Sequence, residues 1–148
     1  MPEKETLERA EEDKREGKSP STQAGEFVHE EIEHVREGKH GARSTKQAIA
    51  IGLSKARRAG IDLPPPEKGQ TSKQTREQAK RDLKKGMKAT KKKPSAKRSR
   101  ATLNALKREG HSAASKTALS RQAHKAAAKR SAASRSRSAK KAAATRKK

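Results

Sequence analysis

The chain has 148 residues, a formal net charge of +23 and a charged fraction of 39%. Leu, Ile, Val and Phe together contribute 14 residues, and a composition so poor in large apolar side chains and so highly charged is typical of chains with large disordered regions. The absence of cysteine excludes a disulfide framework and thiolate metal sites, and it favours a reducing compartment. We find no signal peptide and no run of about 20 apolar residues, and we therefore expect a cytoplasmic protein without a membrane partner.

The amino-terminal part of the chain is acidic and the remainder is basic. Residues 1–38 carry a net charge of −6, whereas residues 39–148 carry +29. Residues 1–20 are highly charged and contain a single Leu, so we predict a charged flexible arm there, in the form of a frayed helix or coil. Such an arm is either a solvated tail or an autoinhibitory segment that competes with a polyanionic partner for the basic surface.

Residues 21–63 are predicted to form an antiparallel helical hairpin that holds the core. Nine of the 14 Leu, Ile, Val and Phe residues lie between Phe27 and Leu63. Apolar residues recur at i, i+4 and i+7 within residues 28–35 and again within residues 49–56, which indicates one apolar face on each of two helices. The short connection favours antiparallel neighbours. Because the core is small, the hairpin needs a third helix, a second copy of itself in a homodimer, or a bound partner.

Capping residues mark the ends of the second helix. Ser44 and Gln47 fit a capping box at its start, and Gly60 fits the position that follows its end. The prolines that come next indicate a stiff spacer over residues 64–70, and a short helix is predicted over residues 71–86. The expected fold class is therefore all-α, an antiparallel helical hairpin plus short helices, with large disordered basic regions.

The region 87–148 is rich in Lys, Arg, Ala and Ser and has a net charge of +20. Residues 96–109 and 113–130 have the alanine content and the flanking residues of helices, but dense positive charge opposes helix formation. We therefore predict nascent helices that form mainly when phosphates neutralise them. Residues 131–148 are predicted to be a flexible basic tail.

This basic region predicts binding to nucleic acid. Lys and Arg side chains that neutralise phosphates release condensed counterions, and binding of this kind does not read sequence. The chain has no Trp or Tyr and one Phe, so it lacks aromatic platforms for the bases of single strands, and duplex DNA is the simpler partner. The candidate phosphate contacts are Lys39, Arg43, Lys46, Lys91, Lys92, Lys93, Lys97, Arg98, Arg100, Arg121, Lys125, Lys129, Arg130, Arg135, Arg137, Lys140 and Lys141.

The connection between the two hairpin helices contains a GxxG sequence that begins at Gly38 and ends at Gly41. KH domains clamp a nucleic-acid backbone with such a loop, and Arg43 and Lys46 flank it here. The loop is therefore either a phosphate-binding loop or a turn that needs two glycines. No strand of the kind that KH domains require is readable, and the spacing is not that of a Walker A loop.

No catalytic, cofactor or metal site is predicted. His29 and His34 are five residues apart, which is about 140° around a helix, so they cannot share a face. His29 with Glu33 would supply only two ligands. No nucleophile is paired with a base, and no large core is available to hold a pocket. We therefore expect neither an enzyme nor a protein that binds a cofactor or a small-molecule substrate.

Two segments resemble known proteins. This chain resembles a family of small basic proteobacterial proteins that share an uncharacterised helical domain. The resemblance lies within residues 25–69, in the sequence GEFVHEEIEHVREGKHGARSTKQAIAIGLSKARRAGIDLPPP. The tail of such proteins is similar to RSRATLNALKREGHSAASKTALSRQAHKAAAKR. The resemblance implies a helical domain and no particular activity. In composition, the basic region is also similar to linker-histone tails and to the basic extensions of bacterial histone-like proteins.

We therefore predict a nonspecific, histone-like or nucleoid-associated DNA-binding protein, in which the hairpin anchors or dimerises and the basic region neutralises and bridges DNA. Two alternatives remain open. One is a protein-interaction module whose hairpin binds a protein partner, and the other is an accessory protein associated with RNA or the ribosome.

Overall fold

The fold is that of a computed structural model, which describes residues 1–88 and 93–146. Within these ranges the chain forms helices and no β-strand, apart from one isolated bridge between Lys68 and Thr71. The all-α fold class is confirmed. The elements are α1 (Lys4–Arg15), α2 (Pro20–Arg36), α3 (Thr45–Ala59), α4 (Lys73–Gly86), α5 (Ala96–Lys107), a short 3-10 helix (Ser112–Ala114), α6 (Lys116–Ala128) and α7 (Ala132–Arg146).

The central unit consists of α2 and α3, which pack side by side. Phe27, near the middle of α2, shares a buried cluster with Ala56 near the end of α3, whereas Val35 at the end of α2 shares another with Ala48 at the start of α3. Because later residues of α2 lie beside earlier residues of α3, the two helices are antiparallel. They approach closely at Gly52, where an added Cβ would lie 2.7 Å from the backbone of α2.

The side chains of Ser44 and Gln47 accept hydrogen bonds from backbone N–H groups at the start of α3. Oγ of Ser44 accepts a hydrogen bond from the backbone N–H of Gln47 at 3.2 Å. The side chain of Gln47 reaches back to the backbone N–H of Arg43, at 2.7 Å, rather than to that of Ser44. The capping pair that the sequence indicates is therefore present, with its return bond shifted by one residue.

Residues 1–20 are predicted to be a flexible arm of frayed helix or coil, and the structure differs in that a helix there is packed on the hairpin. This helix is α1, whose buried face consists of Thr6, Ala10 and Asp13 and packs on α2. Ala10 belongs to the same buried cluster as Phe27. These small and polar side chains let two helices come close without large apolar residues, which is why hydrophobicity alone does not reveal the contact.

The helix α4 packs on α3, whereas α1 packs on α2, and the contact of α4 is polar. Asp82 is 1% exposed, and its carboxylate accepts hydrogen bonds from Ser54 at 2.7 Å, Arg58 at 2.7 Å and Gln78 at 3.0 Å. Burial by itself raises the pKa of Asp82, but these three donors outweigh it and hold that pKa below its ordinary value. Ala79 is the only buried apolar residue that α4 contributes.

Large disordered basic regions are expected from the composition, and the structure contradicts this expectation. Residues 93–146 are helical over most of their length, including most of the tail predicted to be flexible over residues 131–148. Alanine has the highest helix propensity, and serines cap these helices, as where Oγ of Ser115 accepts from the N–H of Ala118 at 3.2 Å. The local preference for helix therefore outweighs the repulsion between the Lys and Arg side chains.

Candidate nucleic-acid interface

The loop between α2 and α3 is bound by the chain that leaves α5. The backbone N–H of Gly41 donates to the carbonyl of Leu106 at 2.9 Å, and that of Ala42 donates to the carbonyl of Gly110 at 3.0 Å. A Cβ on Gly41 would lie 2.0 Å from the carbonyl oxygen of Glu109. Glycine is required at this position because a second segment of backbone occupies the space of a side chain.

This contact bears on the two interpretations of the GxxG sequence. Gly38 has a φ of +76°, so it supplies the left-handed turn at the end of α2. Gly41 supplies the close approach to Glu109, and its N–H is engaged within the protein. The N–H groups that would grip a phosphate in a KH-like loop are therefore directed at other parts of this chain, which favours the turn.

Lys39 lies within the GxxG sequence, but its charge is compensated. Its ammonium is 3.0 Å from carboxylate oxygens of both Glu3 and Glu37. Hydrogen bonds to Glu3 and then Glu37 raise the pKa of Lys39. Hydrogen bonds from His34 and then Lys39 lower the pKa of Glu3 to about 2. Lys39 is therefore a weaker candidate for phosphate contact than the unpaired lysines described below.

A docking segment, residues 106–114, continues the contact along the hairpin. Nδ1–H of His111 donates to the carbonyl of Val35 at 2.8 Å, and the hydroxyl of Thr45 donates to the carbonyl of Ala113 at 2.6 Å. Ala113 and its neighbour are buried in the cluster formed by the end of α2 and the start of α3. Sequence reasoning missed this segment, whose signal is a short run of small residues without Lys, Arg or acidic side chains over residues 110–115 of a basic region.

The docking segment brings α6 next to the start of α3. Lys46 of α3, Lys125 of α6 and Lys129, which directly follows α6, line one open depression, together with Gln122 and alanines. No acidic residue belongs to its lining. The structure thus brings together three of the cations that the sequence singles out as phosphate contacts, although Lys46 is about 80 residues away from the other two in the chain.

The remaining candidate cations are spread over exposed surface. Arg43 is exposed beside the start of α3, and Lys91 and Lys92 lie outside the described residues. Across residues 93–146, none of the candidate cations forms an ion pair with a carboxylate. The exposed members of this set are Lys93, Lys97, Arg98, Arg100, Arg121, Lys125, Lys129, Arg130, Arg135, Arg137, Lys140 and Lys141.

The charges of the molecule are segregated by element. All ion pairs among the described residues lie between residues 3 and 82, where acidic side chains of α1, α2 and α4 meet nearby cations. Residues 93–146 carry sixteen Lys and Arg residues and a single acidic one, Glu109. The carboxyl-terminal helices therefore present positive charge that the rest of the described chain does not neutralise.

A group of titratable side chains outside this basic surface was missed by sequence reasoning. His34 and Glu31 of α2 meet His40 of the interhelical loop, and one ligand atom of each lies within 4.8 Å of the others. His29 and His34 do not share a face of α2, and His29 is exposed. The histidine that approaches His34 is His40, six residues later and in the loop, so helical spacing does not predict the contact.

Comparisons with known proteins add one finding. Residues 14–68 match a family of unknown function (DUF6496), a stretch that runs from the end of α1 through the hairpin to the proline-rich spacer. This match supports the resemblance to an uncharacterised helical domain and leaves α4, α5, α6 and α7 outside it. No curated protein and no solved structure matched the chain. None of the described helices is long and apolar enough to cross a membrane.

Proposed function

We propose that the protein binds nucleic acid nonspecifically, with duplex DNA as its main partner, through phosphate contacts made by α5, α6, α7 and the start of α3. The observation that carries the proposal is the convergence of Lys46, Lys125 and Lys129 on one depression that has no acidic lining residue. A polyanion that enters this depression meets three ammonium groups and displaces the counterions that they attract. The proposed role is histone-like or nucleoid-associated.

The arrangement of cations on the helices supports nonspecific binding. Arg121 and Lys125 of α6 and Lys129, its C-cap residue, follow one another at intervals of four residues, so they lie on one face at steps of about 6 Å along the axis. Such a row follows a phosphate backbone and reads no base edge. The single aromatic residue apart from the histidines, Phe27, is fully buried, so it offers no platform for a base.

The hairpin is less suited to the alternative role of a protein-interaction module. Its apolar faces are covered within the chain by α1, by α4 and by the docking segment. Among the described residues, the exposed large hydrophobic side chains are Met1, Leu7, Met87 and Leu103, and none of them belongs to α2 or α3. A homodimer or a protein complex formed through the hairpin would first require one of the covering elements to leave.

Binding measured by fluorescence anisotropy over a salt series tests the proposal, with two DNA duplexes of unrelated sequence and one RNA duplex. If about ten phosphates are engaged, log K falls with log[salt] at a slope of about −9 on DNA. We expect the two DNA duplexes to bind equally. A slope shallower than about −3, or a strong preference for one DNA sequence, overturns the proposal. Tighter binding of the RNA duplex instead assigns the surface to RNA.

Matched variants locate the interface. Replacement of Lys46, Lys125 and Lys129 by Gln should make the slope shallower by about 2 to 3, since each lost phosphate contact accounts for about 0.9. The control replaces Lys73, Lys84 and Lys85 of α4, which are exposed, and changes the net charge by the same amount. We expect a smaller change in the control. Equal losses in both variants would show that net charge alone, and not the depression, determines binding.

A further inference from the structure

Two elements place three metal-ligating side chains around one point. Glu31 and His34 project from successive turns of α2, and His40 comes from the loop that follows it. Their side chains are 1%, 13% and 8% exposed, respectively. The rings of the two histidines meet edge to face, with centroids 6.0 Å apart. Such a small group of imidazoles and a carboxylate, held away from solvent, has the chemistry of a transition-metal site.

The two ring nitrogens of His40 are placed as in a metal-bound histidine. Nδ1 lies 3.0 Å from the carbonyl oxygen of Gly41, and Nε2 lies 3.0 Å from Oε1 of Glu31. With Nδ1–H donating to Gly41, the lone pair of Nε2 is available to a metal ion that Oε1 of Glu31 also reaches. A bond from the second nitrogen to a backbone carbonyl is the usual way in which a metal-bound histidine is oriented.

Glu31 is held by Lys55 through one carboxylate oxygen and has its other oxygen beside His40. The side chain of Glu31 is fully buried, and its Oε2 is ion-paired with the ammonium of Lys55 at 2.7 Å. Its Oε1 lies 3.0 Å from Nε2 of His40. A metal ion would engage Oε1, while Lys55 remains paired with Oε2 and, at 3.2 Å, with Glu30.

The local charge permits a cation in spite of the basic character of the whole chain. Around the site, the carboxylates of Glu3, Glu30 and Glu31 outnumber the ammonium groups of Lys39 and Lys55. The site is also accessible, because His34 lines a depression of about 140 Å³ that opens to solvent. A closed cluster would have no path for an ion to enter.

We propose that Glu31, His34 and His40 bind a divalent transition-metal ion, with zinc as the best fit. Zinc takes two imidazoles and a carboxylate readily and leaves a fourth position for water or for Glu3, which lies 2.9 Å from Nε2 of His34. Donors about 2 Å from a tetrahedral ion lie roughly 3.3 Å apart, so His40 and Glu31 need to separate by only a few tenths of an ångström.

The proposed ion would act on stability. It would tie α2 to the interhelical loop, immediately before Gly41 and Ala42 receive the docking segment. A protein with 14 large aliphatic and Phe residues in 148 has little core, and a structural metal is a common way to stabilise such chains. The ion would thereby hold the loop in the conformation that the docking segment, and with it α6, requires.

The test uses the full-length protein after treatment with a chelator. We expect saturable binding of one Zn²⁺ per chain in calorimetry, a rise in melting temperature with added ZnCl₂, and visible absorption of a four-coordinate ion when Co²⁺ replaces Zn²⁺. His40→Gln and His34→Gln should each weaken binding about tenfold or more. The matched control changes the exposed His29 and His124 to Gln, and it should bind as the parent does.

Each result decides whether a metal ion binds at this place. If none binds, ZnCl₂ leaves the melting temperature unchanged and added Co²⁺ shows no absorption of a four-coordinate ion, and the proposal is overturned. It is also overturned if the control loses as much affinity as His40→Gln. The Co²⁺ spectrum of the parent protein needs no variant, so it is decisive even if a substitution at His40 prevents folding.

Discussion

The backbone N–H of Gly41 donates to the carbonyl of Leu106 at 2.9 Å, and this bond joins the hairpin loop to the end of α5. Immediately after it, Ala113 and Ala114 enter the cluster that Ile32 and Val35 form at the same end of the hairpin. Small residues from the basic region thus cover this end of the hairpin. The additional packing that the small core of the hairpin requires is supplied by the same chain, through α1, α4 and this segment.

Gly41→Ala should release the docking segment from the hairpin. The new methyl group would lie 2.0 Å from the carbonyl oxygen of Glu109, and backbone cannot yield as a flexible side chain does. We expect a loss of about 1–3 kcal/mol of unfolding free energy, the usual cost of overpacking. Chemical denaturation measures this loss, and hydrogen exchange should show faster exchange at the N–H groups of residues 41 and 42.

Gly25→Ala is the matched control for this substitution. Gly25 lies within α2, and an added Cβ there meets no atom within 4 Å. Alanine has the higher helix propensity, so we expect a gain of up to about 1 kcal/mol. Equal stability of the two variants would show that the docking segment does not lie against Gly41.

The hairpin could be predicted because its residues follow rules that act within a few positions. On α2 the i, i+4, i+7 spacing picks out the packed face, since Ile32 and Val35 are buried and Val28 packs against them. On α3 it is wrong in part: Ala56 is buried, but Ile49 and Leu53 are only half-buried, and the helix packs through small residues such as Ala48 and Gly52. The conformations of Gly38 and Gly60 mark the ends of the two helices. These features depend on backbone geometry and on nearby side chains alone. The all-helical class follows from them together with the alanine content of the carboxyl-terminal region.

The contacts of α1 and of the docking segment could not be predicted in this way. The buried faces there are made of Thr6, Ala10, Ala113 and Ala114, which are small and carry almost no hydrophobic signal. Their burial depends on a partner far away in the chain. For the same reason the meeting of Lys46 with α6, and of His40 with His34, is visible only in the fold.

Asp82→Asn should weaken the contact between α4 and α3, and the stability that the variant loses relative to the parent should depend on pH. The carboxylate accepts from three donors, and an amide group would face them with a donor of its own, so we expect a loss of about 2–3 kcal/mol near neutral pH. Since the pKa of Asp82 is lowered in the folded state, its contribution is complete above the ordinary value of 3.8. That contribution is lost as the pH falls below this value toward the folded pKa.

Denaturation of the parent and of Asp82→Asn from pH 7 to about pH 2 checks this prediction. The difference in unfolding free energy should be constant down to about pH 5 and should narrow below about pH 4. Asp62→Asn is the control, because Asp62 is exposed, and we expect it to change stability by less than about 0.5 kcal/mol. A difference that stays constant down to pH 2 contradicts the assignment of the carboxylate as the responsible group.

The acidic face of α1 should weaken nucleic-acid binding modestly. Glu8, Glu11, Glu12 and Glu16 are exposed; the first three belong to α1 and Glu16 caps its end, and this helix packs on α2 rather than forming a free arm. Their replacement by Gln should tighten binding by about a few-fold at low salt, because exposed charges interact weakly and are screened within about 10 Å at 0.1 M salt. The affinities of variant and parent should converge at high salt. Equal affinities at every salt concentration would show that α1 does not compete with phosphates.

Removal of α7 should separate binding from stability. None of the residues described in α7 is buried, so a chain that ends at Arg130 should unfold within about 0.5 kcal/mol of the parent. The deleted residues 131–148 carry seven Lys and Arg residues and no acidic residue. If all seven contact phosphates, the salt slope on duplex DNA should become shallower by about 6. A full-length variant in which Gln replaces these seven residues should reproduce the change in slope while it keeps the helix. An unchanged slope would show that α7 lies away from the bound nucleic acid, and a large loss of stability would show that it packs on the rest of the chain.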